Sequence, residues 1–532
     1  MRKKTLTTLL ATFLLPFFVM AQAVEKGLDE KINDIVKPAT DVIESIVFYS
    51  IPLGNGTKVP VVLIVLIAGA LFFTLYFNFV NFRKFFTSIR IVRGDFDGID
   101  QHATDPVTGD WVFHTEEGDL PQTMRIEGHH GQVSHFQALT AALSATVGLG
   151  NIAGVAIAIV LGGPGATLWM ILAGLIGMSS KFVECTLGVK YRDIEPDGTV
   201  HGGPMYYLRK GFAKRNWKTL GKILAIFYAV MTVGGSFGGG NMFQANQATL
   251  QFKTLLGWNA GYAGFAFGIV VAILVAIVII GGITRIGSVT AKIVPLMAIL
   301  YVLAALIILV VKIDALPGAI SLIFTEAFAP KAIAGGFVGV LIQGFRRAAF
   351  SNEAGVGSAA IAHSAVKTRF PVSEGLVAMI GPFVDTVIIC TMTALVIIVT
   401  GNYANPQHLE GVDLTSLAFE STIPGFSYIL TIAVILFAFS TMLSWSYYGL
   451  QSWKFLFGRT KAADISYKVL FLIFIIIGSS ASLGAVVGFS DAMIFAMVFP
   501  NMIGLIILAP EVNGELKKYL SAIKAFERHK KE

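Results

Sequence analysis

The 532 residues are 55% hydrophobic and only 14% charged, with a mean hydropathy of +0.72. A soluble domain carries about 25% charged residues, so this composition excludes an ordinary soluble protein and predicts an all-α polytopic membrane protein. The formal net charge of +7 fits basic cytoplasmic loops better than an anionic partner. We therefore expect the lipid bilayer, and no nucleic acid, around the chain.

The N-terminal segment 1–23 has the pattern of a secretory signal peptide. Three basic residues at 2–4 precede an apolar run over 6–20, and the small-x-small sequence AQA follows at 21–23. Cleavage after Ala23 would leave the mature N-terminus outside the cell. The alternative is an anchor helix that is not cleaved.

Eleven apolar spans follow, each close to the ~20 residues that a bilayer requires. They lie at 59–82, 133–160, 165–189, 219–250, 258–281, 288–311, 333–362, 373–400, 425–453, 465–485 and 488–510. The rest of the chain divides into an outer segment, first helix and cytoplasmic loop at 24–132, an outer connection at 313–332 and a basic tail at 511–532.

Positive charge indicates the orientation of these spans. If the mature chain starts outside and the spans alternate, the inside segments hold 26 Lys and Arg and the outside segments hold 7. Cytoplasmic loops carry this excess in membrane proteins. We expect the N-terminus outside and the C-terminus in the cytoplasm, in the plasma membrane and, given the leader, the inner membrane of a bacterium.

Two of the spans contain a break. The first has GLGN at 148–151, and the second has FSNEAG at 350–355. Glycine-interrupted hydrophobic segments mark binding sites in transporters, because irregular backbone at membrane depth must be buried or line a cavity. The alternative for the first is a closely packed helix that uses Gly for close approach. The breaks open two five-span blocks, 133–312 and 333–510, which predicts inverted repeats after one extra helix.

Several strings are similar to those of one transporter family. They are FQAL (136–139), ATVGLGNIAGVA (145–156), GGPGA (162–166), GGPMYYL (202–208), FSNEAGVGSA (350–359) and SWSYYG (444–449). In this order they resemble the alanine/glycine:cation symporter family, which implies a leucine-transporter-like fold and sodium-coupled import of alanine or glycine by alternating access. Leu149, where the family more often has Thr, and the sequence FRRAA at 345–349 depart from its pattern.

A zwitterionic amino acid needs hydrogen-bond donors for its carboxylate and acceptors for its ammonium group. The backbone N–H groups of Gly148 and Gly150 and the Thr146 hydroxyl can serve the carboxylate. Gln244 can reach either end of the substrate, with Asn241 near it. An interhelical hydrogen bond is the alternative role for Gln244.

The resemblance also implies the residues that line the site. They are Thr146, Gly148, Gln244, Phe350, Thr441 and Trp445. Phe350 and Trp445 would form pocket walls, and ordinary packing is the alternative for both.

Sodium requires about five or six hard oxygen ligands. One candidate site combines the carbonyl groups of Ser144 and Val147 with the hydroxyls of Ser440 and Thr441, and this arrangement resembles an ion site of the fold.

A second candidate ion site would use Asn151 and Thr146 with Asp385 or Thr386. Asp385 is an intramembrane acid and hence a functional candidate. Its alternative role is an ion pair with Arg346 or Arg347.

Other polar residues fit structural roles. The sequence predicts a solvated loop for His129, His130 and His135, an intracellular ion pair of Lys181 with Glu184, and a role for Glu353 in capping or pinning the second break.

Competing functional classes are a channel and a membrane-embedded enzyme. A channel would favour one filter at an oligomer axis, and an enzyme would need a nucleophile–base or metal set that we do not find in the spans. No nucleotide-binding domain is evident, so transport would use an ion gradient. Sodium or proton coupling, the choice among alanine, glycine and serine, and the oligomeric state stay open.

Overall fold

The structure, a computed structural model, describes residues 41–52, 58–104, 111–113, 132–258, 260–328, 336–404, 409 and 411–530. The expected signal peptide at 1–23 therefore lies outside the described residues. The described part is mostly helical, and short two-stranded antiparallel hairpins depart from the all-α prediction. The paired strands are β1 (Ser50–Pro52) with β2 (Lys58–Pro60), β3 (His102–Thr104) with β4 (Trp111–Phe113), and β5 (Asp193–Ile194) with β6 (Val200–His201).

The helices alternate between long apolar segments and short connecting pieces. In chain order they are α1 (Val61–Tyr76), α2 (Val80–Arg83), α3 (Phe85–Val92), α4 (Asp97–Gln101), α5 (His135–Thr146), α6 (Gly150–Gly162), α7 (Ala166–Lys190), α8 (Pro204–Lys214), α9 (Lys218–Leu256), α10 (Ala263–Ile279), α11 (Gly282–Val311), α12 (Leu316–Ala327), α13 (Gly336–Asn352), α14 (Ala359–His363), α15 (Pro371–Val399), α16 (Val412–Glu420), α17 (Phe426–Phe457), α18 (Lys461–Ser480) and α19 (Leu483–His529). Single 3₁₀ turns lie at Ile313–Ala315 and Asn402–Ala404.

Each of the eleven predicted spans contains helix. Within the described ranges, seven helices are individually long and apolar enough to cross a membrane, and the bent pair of α5 and α6 makes an eighth. Of the remaining segments, α1 and α10 are shorter apolar helices of 16 and 17 residues, and α13 carries two arginines. The count of eleven spans and their inverted-repeat arrangement thus stay predictions.

The first predicted break is present between α5 and α6. Val147 leaves the helical region at φ −74° and ψ 84°, and a π turn over Gly150–Gly154 opens α6. The two helix axes differ by 50°. The helix is therefore interrupted at its glycines and the buried Asn151, as the sequence predicts.

The second predicted break follows α13. Glu353 has φ +55°, and Gly355 and Gly357 have φ +86° and +91°, values that favour glycine. A Cβ atom on Gly150 would lie 3.4 Å from the Cα atom of Ser351. The two interrupted helices consequently meet at their interruptions.

The first break is enclosed by long helices. α5 packs against α11 and α17, and α6 packs against α13. Two of the neighbouring helices contain π turns of their own, at Gly238–Met242 in α9 and Phe383–Cys390 in α15. π turns occur frequently at functional sites. The irregular backbone of α6, α9 and α15 therefore indicates that the functional site lies in this region of the bundle.

Candidate substrate and ion site

Gly148 opens the backbone of the first break toward two polar side chains. A Cβ atom at this position would lie 2.3 Å from Thr441 Oγ1 and 3.3 Å from Gln244 Oε1. Both distances are shorter than ordinary van der Waals contact, so a residue with a side chain cannot occupy this backbone without displacing its neighbours. The structure therefore brings three of the predicted substrate residues together, from α9, α17 and the break.

Gln244 joins the first break to α9 through hydrogen bonds. The Leu149 N–H donates to Gln244 Oε1 at 3.1 Å, and Gln244 Nε2 donates to the Gly239 carbonyl at 2.9 Å. The interhelical hydrogen bond considered for this residue is thus present. A substrate that uses the Gln244 amide must exchange with these partners, because the residue is buried and its oxygen and nitrogen are already hydrogen-bonded.

Oxygen atoms of α5 and α17 also meet beside Thr441. Ser144 Oγ donates to the Ser440 carbonyl at 2.6 Å, and Thr441 Oγ1 donates to the Ser144 carbonyl at 2.9 Å. The Ser440 hydroxyl donates within its own helix to the Phe437 carbonyl at 3.0 Å. Ser144, Ser440 and Thr441 of the first predicted ion site are therefore in contact, with the Ser440 carbonyl rather than its hydroxyl nearest to Ser144.

The residues of the second predicted ion site surround Asp385, which is fully buried. Asn151 Nδ2 donates to Asp385 Oδ1 at 2.7 Å and to its backbone carbonyl at 3.0 Å. Ser351 Oγ and Thr386 Oγ1 donate to Asp385 Oδ2 at 2.9 and 2.7 Å. Three side-chain donors from both breaks and from α15 converge on one carboxylate, which is how a buried charge is stabilised.

Asn151 also binds the backbone of Gly148. Its Oδ1 accepts a hydrogen bond from the Gly148 N–H at 2.8 Å. The Gly148 N–H, a predicted donor to a substrate carboxylate, is thus satisfied by the Asn151 amide in this conformation, and its predicted role stays a prediction.

The arginines considered as partners of Asp385 bind another acid. Arg346 Nη2 lies 2.8 Å from Asp491 Oδ2, and Arg347 also pairs with Asp491. Within the described residues, no Lys or Arg forms a salt bridge with Asp385. The ion-pair alternative for Asp385 is consequently wrong, and Asp385 is held by neutral hydrogen-bond donors instead.

The predicted wall residues lie against the glycines of α9. A Cβ atom on Gly240 would lie 2.1 Å from Trp445 Cγ, and one on Gly239 would lie 3.4 Å from the Phe350 ring. Trp445 Nε1 donates to Glu353 Oε1 at 3.0 Å, and Ser358 Oγ donates to the other oxygen of that carboxylate. Glu353 thus pins the second break to α17 as the sequence predicts.

Three predicted substrate residues are engaged elsewhere. Asn241 Nδ2 donates to the Phe471 carbonyl of α18 at 2.6 Å. The Thr146 hydroxyl donates to carbonyls of its own helix at 3.3 and 3.4 Å, and Gly150 faces Ser351. These residues surround the break, but their described contacts do not join them to Gly148.

Two structural assignments from the sequence are wrong, those of His135 and of the Lys181–Glu184 pair, whereas His129 and His130 lie outside the described residues. His135 begins α5, where its Nδ1 pairs with the buried Glu374, which also pairs with His363. The Lys181 ammonium has no hydrogen-bond partner within the described residues, and Glu184 accepts from Asn501 Nδ2 at 3.0 Å. Both errors concern partners far apart in sequence, which local spacing does not reveal.

The sequence argument missed Ser351 and Asn352. Ser351 binds Asp385, and Asn352 Nδ2 donates to Thr386 Oγ1 at 2.9 Å. Both residues stand in the FSNEAG string that marks the second break, so their position beside a predicted interruption was the signal that could have identified them.

Within the described residues, no group of three His, Cys, Asp or Glu side chains is arranged to hold a metal ion. The oxygens around Ser144 and Asp385 are mostly neutral hydroxyl and carbonyl groups. Such a set suits a hard monovalent cation better than a transition metal.

Paired helix interruptions around buried oxygens, within a bundle of apolar helices, are the features of a membrane transport protein. Residues 118–532 match the model of the sodium:alanine symporter family. The chain belongs to this family, and membership identifies it as a transporter rather than an enzyme.

The relatives extend over most of the chain. The sodium/alanine symporter AgcS of Methanococcus maripaludis is 43% identical, over 74% of this chain and 85% of its own length. The probable sodium/glutamine symporter GlnT of Bacillus subtilis is 36% identical over 74% and 80%. The putative sodium/proton-dependent alanine carrier protein YrbD of Bacillus subtilis is 36% identical over 79% and 86%.

A solved structure, described as the crystal structure of MhsT in complex with L-phenylalanine, is 17% identical with a TM-score of 0.48. It covers 74% of this chain and 99% of its own. At this score the likeness does not establish a common fold, and the leucine-transporter-like fold stays a prediction.

Proposed function

We propose that the protein is a sodium-coupled symporter that imports the small neutral amino acids alanine and glycine by alternating access. The observation that carries this proposal is the open backbone at Gly148, which faces Gln244 and Thr441 directly beside the oxygen atoms of Ser144 and Ser440. A substrate site and a cation site would share this break. Membership of the family and the printed names of the relatives support the same function.

The proposed architecture has eleven membrane-spanning helices, with two inverted five-helix repeats of the leucine-transporter type after α1. The contact between the first break and the second, at Gly150 and Ser351, supports the pairing of α5 and α6 with α13 and α14. The Lys and Arg distribution supports an outer N-terminus and a cytoplasmic C-terminus in the plasma membrane.

In the proposed binding mode, the substrate carboxylate exchanges with side-chain oxygens at the break. The N–H groups of Gly148 and Leu149 donate to Asn151 and Gln244 in the described conformation. An incoming carboxylate would take over one or both donors, and the released Gln244 amide could accept from the ammonium group. Trp445 and Phe350 would limit the space for the side chain.

Sodium would be the co-transported cargo. The first proposed ligand set is the carbonyl groups of Ser144 and Val147 with Ser440 and Thr441. The second is Asn151 with Asp385 and Thr386. Both sets adjoin Gly148, the first through Thr441 and the second through Asn151, so an ion at either site and the substrate would stabilise each other's binding.

A proton-coupled symporter of the same fold is the second candidate. The buried carboxylate of Asp385 favours it, since intramembrane acids serve in proton relays, and one relative carries sodium/proton in its name. The decisive experiment uses purified protein in liposomes and measures labelled alanine uptake. A sodium gradient at constant pH should drive uptake, whereas a proton gradient without sodium should not. Uptake that follows only the proton gradient would replace sodium coupling with proton coupling.

The preference for small substrates is tested separately. Unlabelled glycine and serine should compete with labelled alanine, whereas leucine and phenylalanine should compete only weakly, because Phe350 and Trp445 leave little room. One methylene group contributes about 1–3 kcal/mol of discrimination in an apolar pocket. Equal competition by glutamine would contradict the small pocket and assign a broader specificity.

A further inference from the structure

A basic groove lies where α1, α2 and α3 meet the C-terminal half of α19. Its volume is about 420 Å³. Its polar lining consists of Asn78, Arg83, Lys84, Thr87, Arg90, Lys524 and Glu527. Its floor is formed by apolar residues of α19 and by Phe77 and Val80. The groove is remote in sequence from both helix breaks and has no part in the proposed function.

The groove has an excess of positive charge. Arg90 Nη2 pairs with Glu527 at 2.8 Å, which neutralises the one acid of the lining. Arg83, Lys84 and Lys524 have no acidic partner within the described residues. Three uncompensated basic side chains around one concave space favour an anionic ligand.

The position of the groove along the helices corresponds to the membrane surface. The apolar run of α1 ends at Tyr76, directly before the groove, and the apolar part of α19 ends near Pro510. Phe77 and Asn78, the first groove residues in the chain, directly follow Tyr76. This side of the groove therefore lies at the depth of the headgroup layer, which extends about 5–7 Å beyond the hydrocarbon core.

α3 is amphipathic in the way that an interfacial helix is. Thr87 and Arg90 line the groove, whereas Phe86 and Ile89 are 77% and 42% exposed on the adjoining face. Phe82, in α2, is 53% exposed as well. A short helix with basic and aromatic faces lies in the plane of the interface with its apolar face toward the acyl chains.

We infer that the basic groove binds the headgroup of an anionic phospholipid. The phosphodiester would accept hydrogen bonds from Arg83, Lys84 and Lys524, and Thr87 and Asn78 could bind headgroup hydroxyls. The acyl chains would lie against the exposed aromatic face of α2 and α3. The lipid would thereby join α1 to the C-terminal helix at the membrane surface.

Native mass spectrometry of the purified full-length protein tests this site. The protein is titrated with phosphatidylglycerol or with phosphatidylcholine that has the same acyl chains. Each groove charge is expected to contribute about fivefold in affinity, so Lys84→Gln/Lys524→Gln should weaken phosphatidylglycerol binding about 25-fold. The matched control Lys517→Gln/Lys518→Gln removes two charges from α19 outside the groove and should change binding less than about twofold.

Three results would overturn the site. They are equal affinity of the wild type for both lipids, equal losses in the two double variants, and complete displacement of the lipid by millimolar inorganic phosphate, which would assign the groove to soluble phosphates. If the groove variant fails to elute as folded protein, Lys524→Gln alone should still weaken binding about fivefold. Lys84→Arg/Lys524→Arg, which keeps the charge, should bind like the wild type.

Discussion

A methyl group added to Gly148 would lie 2.3 Å from the Thr441 hydroxyl oxygen, whereas one added to Gly154, in the π turn that follows, would meet nothing within 4 Å. Overpacking costs about 1–3 kcal/mol, so Gly148→Ala should reduce alanine uptake about tenfold or more. Gly154→Ala should transport like the wild type. Uptake assays in proteoliposomes compare the two, and equal activity would contradict the close approach at Gly148.

Thr441 and Gln244 contact the same glycine but have different proposed roles. Thr441→Ala removes a hard oxygen beside Ser144 and should raise the sodium concentration for half-maximal uptake about two- to tenfold, the range expected for one hydrogen-bonding group. Gln244→Ala should instead raise the KM for alanine by a similar factor. Each ligand is titrated at saturating concentration of the other.

Size-exclusion chromatography of both variants shows whether they are folded. The assignment fails if both retain wild-type constants, or if both change in sodium dependence alone. Because the proposed sites touch, each ligand's affinity depends on the other, and the separation is one of degree.

A hydrogen bond between Trp445 of α17 and Glu353 joins α17 to the second break. Trp445→Phe keeps the aromatic ring but removes the N–H that donates to the buried Glu353 carboxylate. A hydrogen bond to a charged group contributes about 1.5–3 kcal/mol, so this variant should unfold at a lower temperature and transport more slowly. Thermal unfolding of the purified protein measures the change.

The matched control is Trp217→Phe, at a half-exposed tryptophan beside the start of α9. It should leave the unfolding temperature nearly unchanged. Equal shifts in the two variants would mean that the Trp445–Glu353 bond does not hold the break.

The whole-molecule prediction concerns orientation. Both native cysteines, Cys185 and Cys390, are buried, so single introduced cysteines can be labelled with little background. Ser421 follows α16 and Ser521 lies in the C-terminal part of α19, and both are exposed. In right-side-out membrane vesicles, Ser421→Cys should react with an impermeant maleimide, whereas Ser521→Cys should react only after permeabilisation. The reverse pattern would place the C-terminus outside.

Hydropathy and glycine positions predict the helices and both breaks. The composition of each short segment determines whether it can form a membrane helix and where that helix is interrupted. The family resemblance adds Gln244 and Thr441, which the structure places at Gly148, and Trp445, which it places beside Gly240 and Glu353. Local patterns do not predict partners such as Arg347 with Asp491, which are 144 residues apart. For the same reason the sequence did not show that Asn241 binds α18 whereas Gln244 binds the first break.

Asn151 holds the Gly148 N–H with its oxygen and Asp385 with its nitrogen. A planar amide cannot turn one end without moving the other. In the proposed symporter, a substrate carboxylate that accepts the Gly148 N–H would therefore weaken the hydrogen bond between Asn151 and Asp385. A cation bound at Asp385 would likewise weaken the hydrogen bond between Asn151 and Gly148. By reciprocity each ligand would improve the other's affinity by one common factor. Transporter molecules with only the cation or only the amino acid bound would then be rare. Few cations would therefore cross the membrane without substrate, and the ion gradient would be preserved.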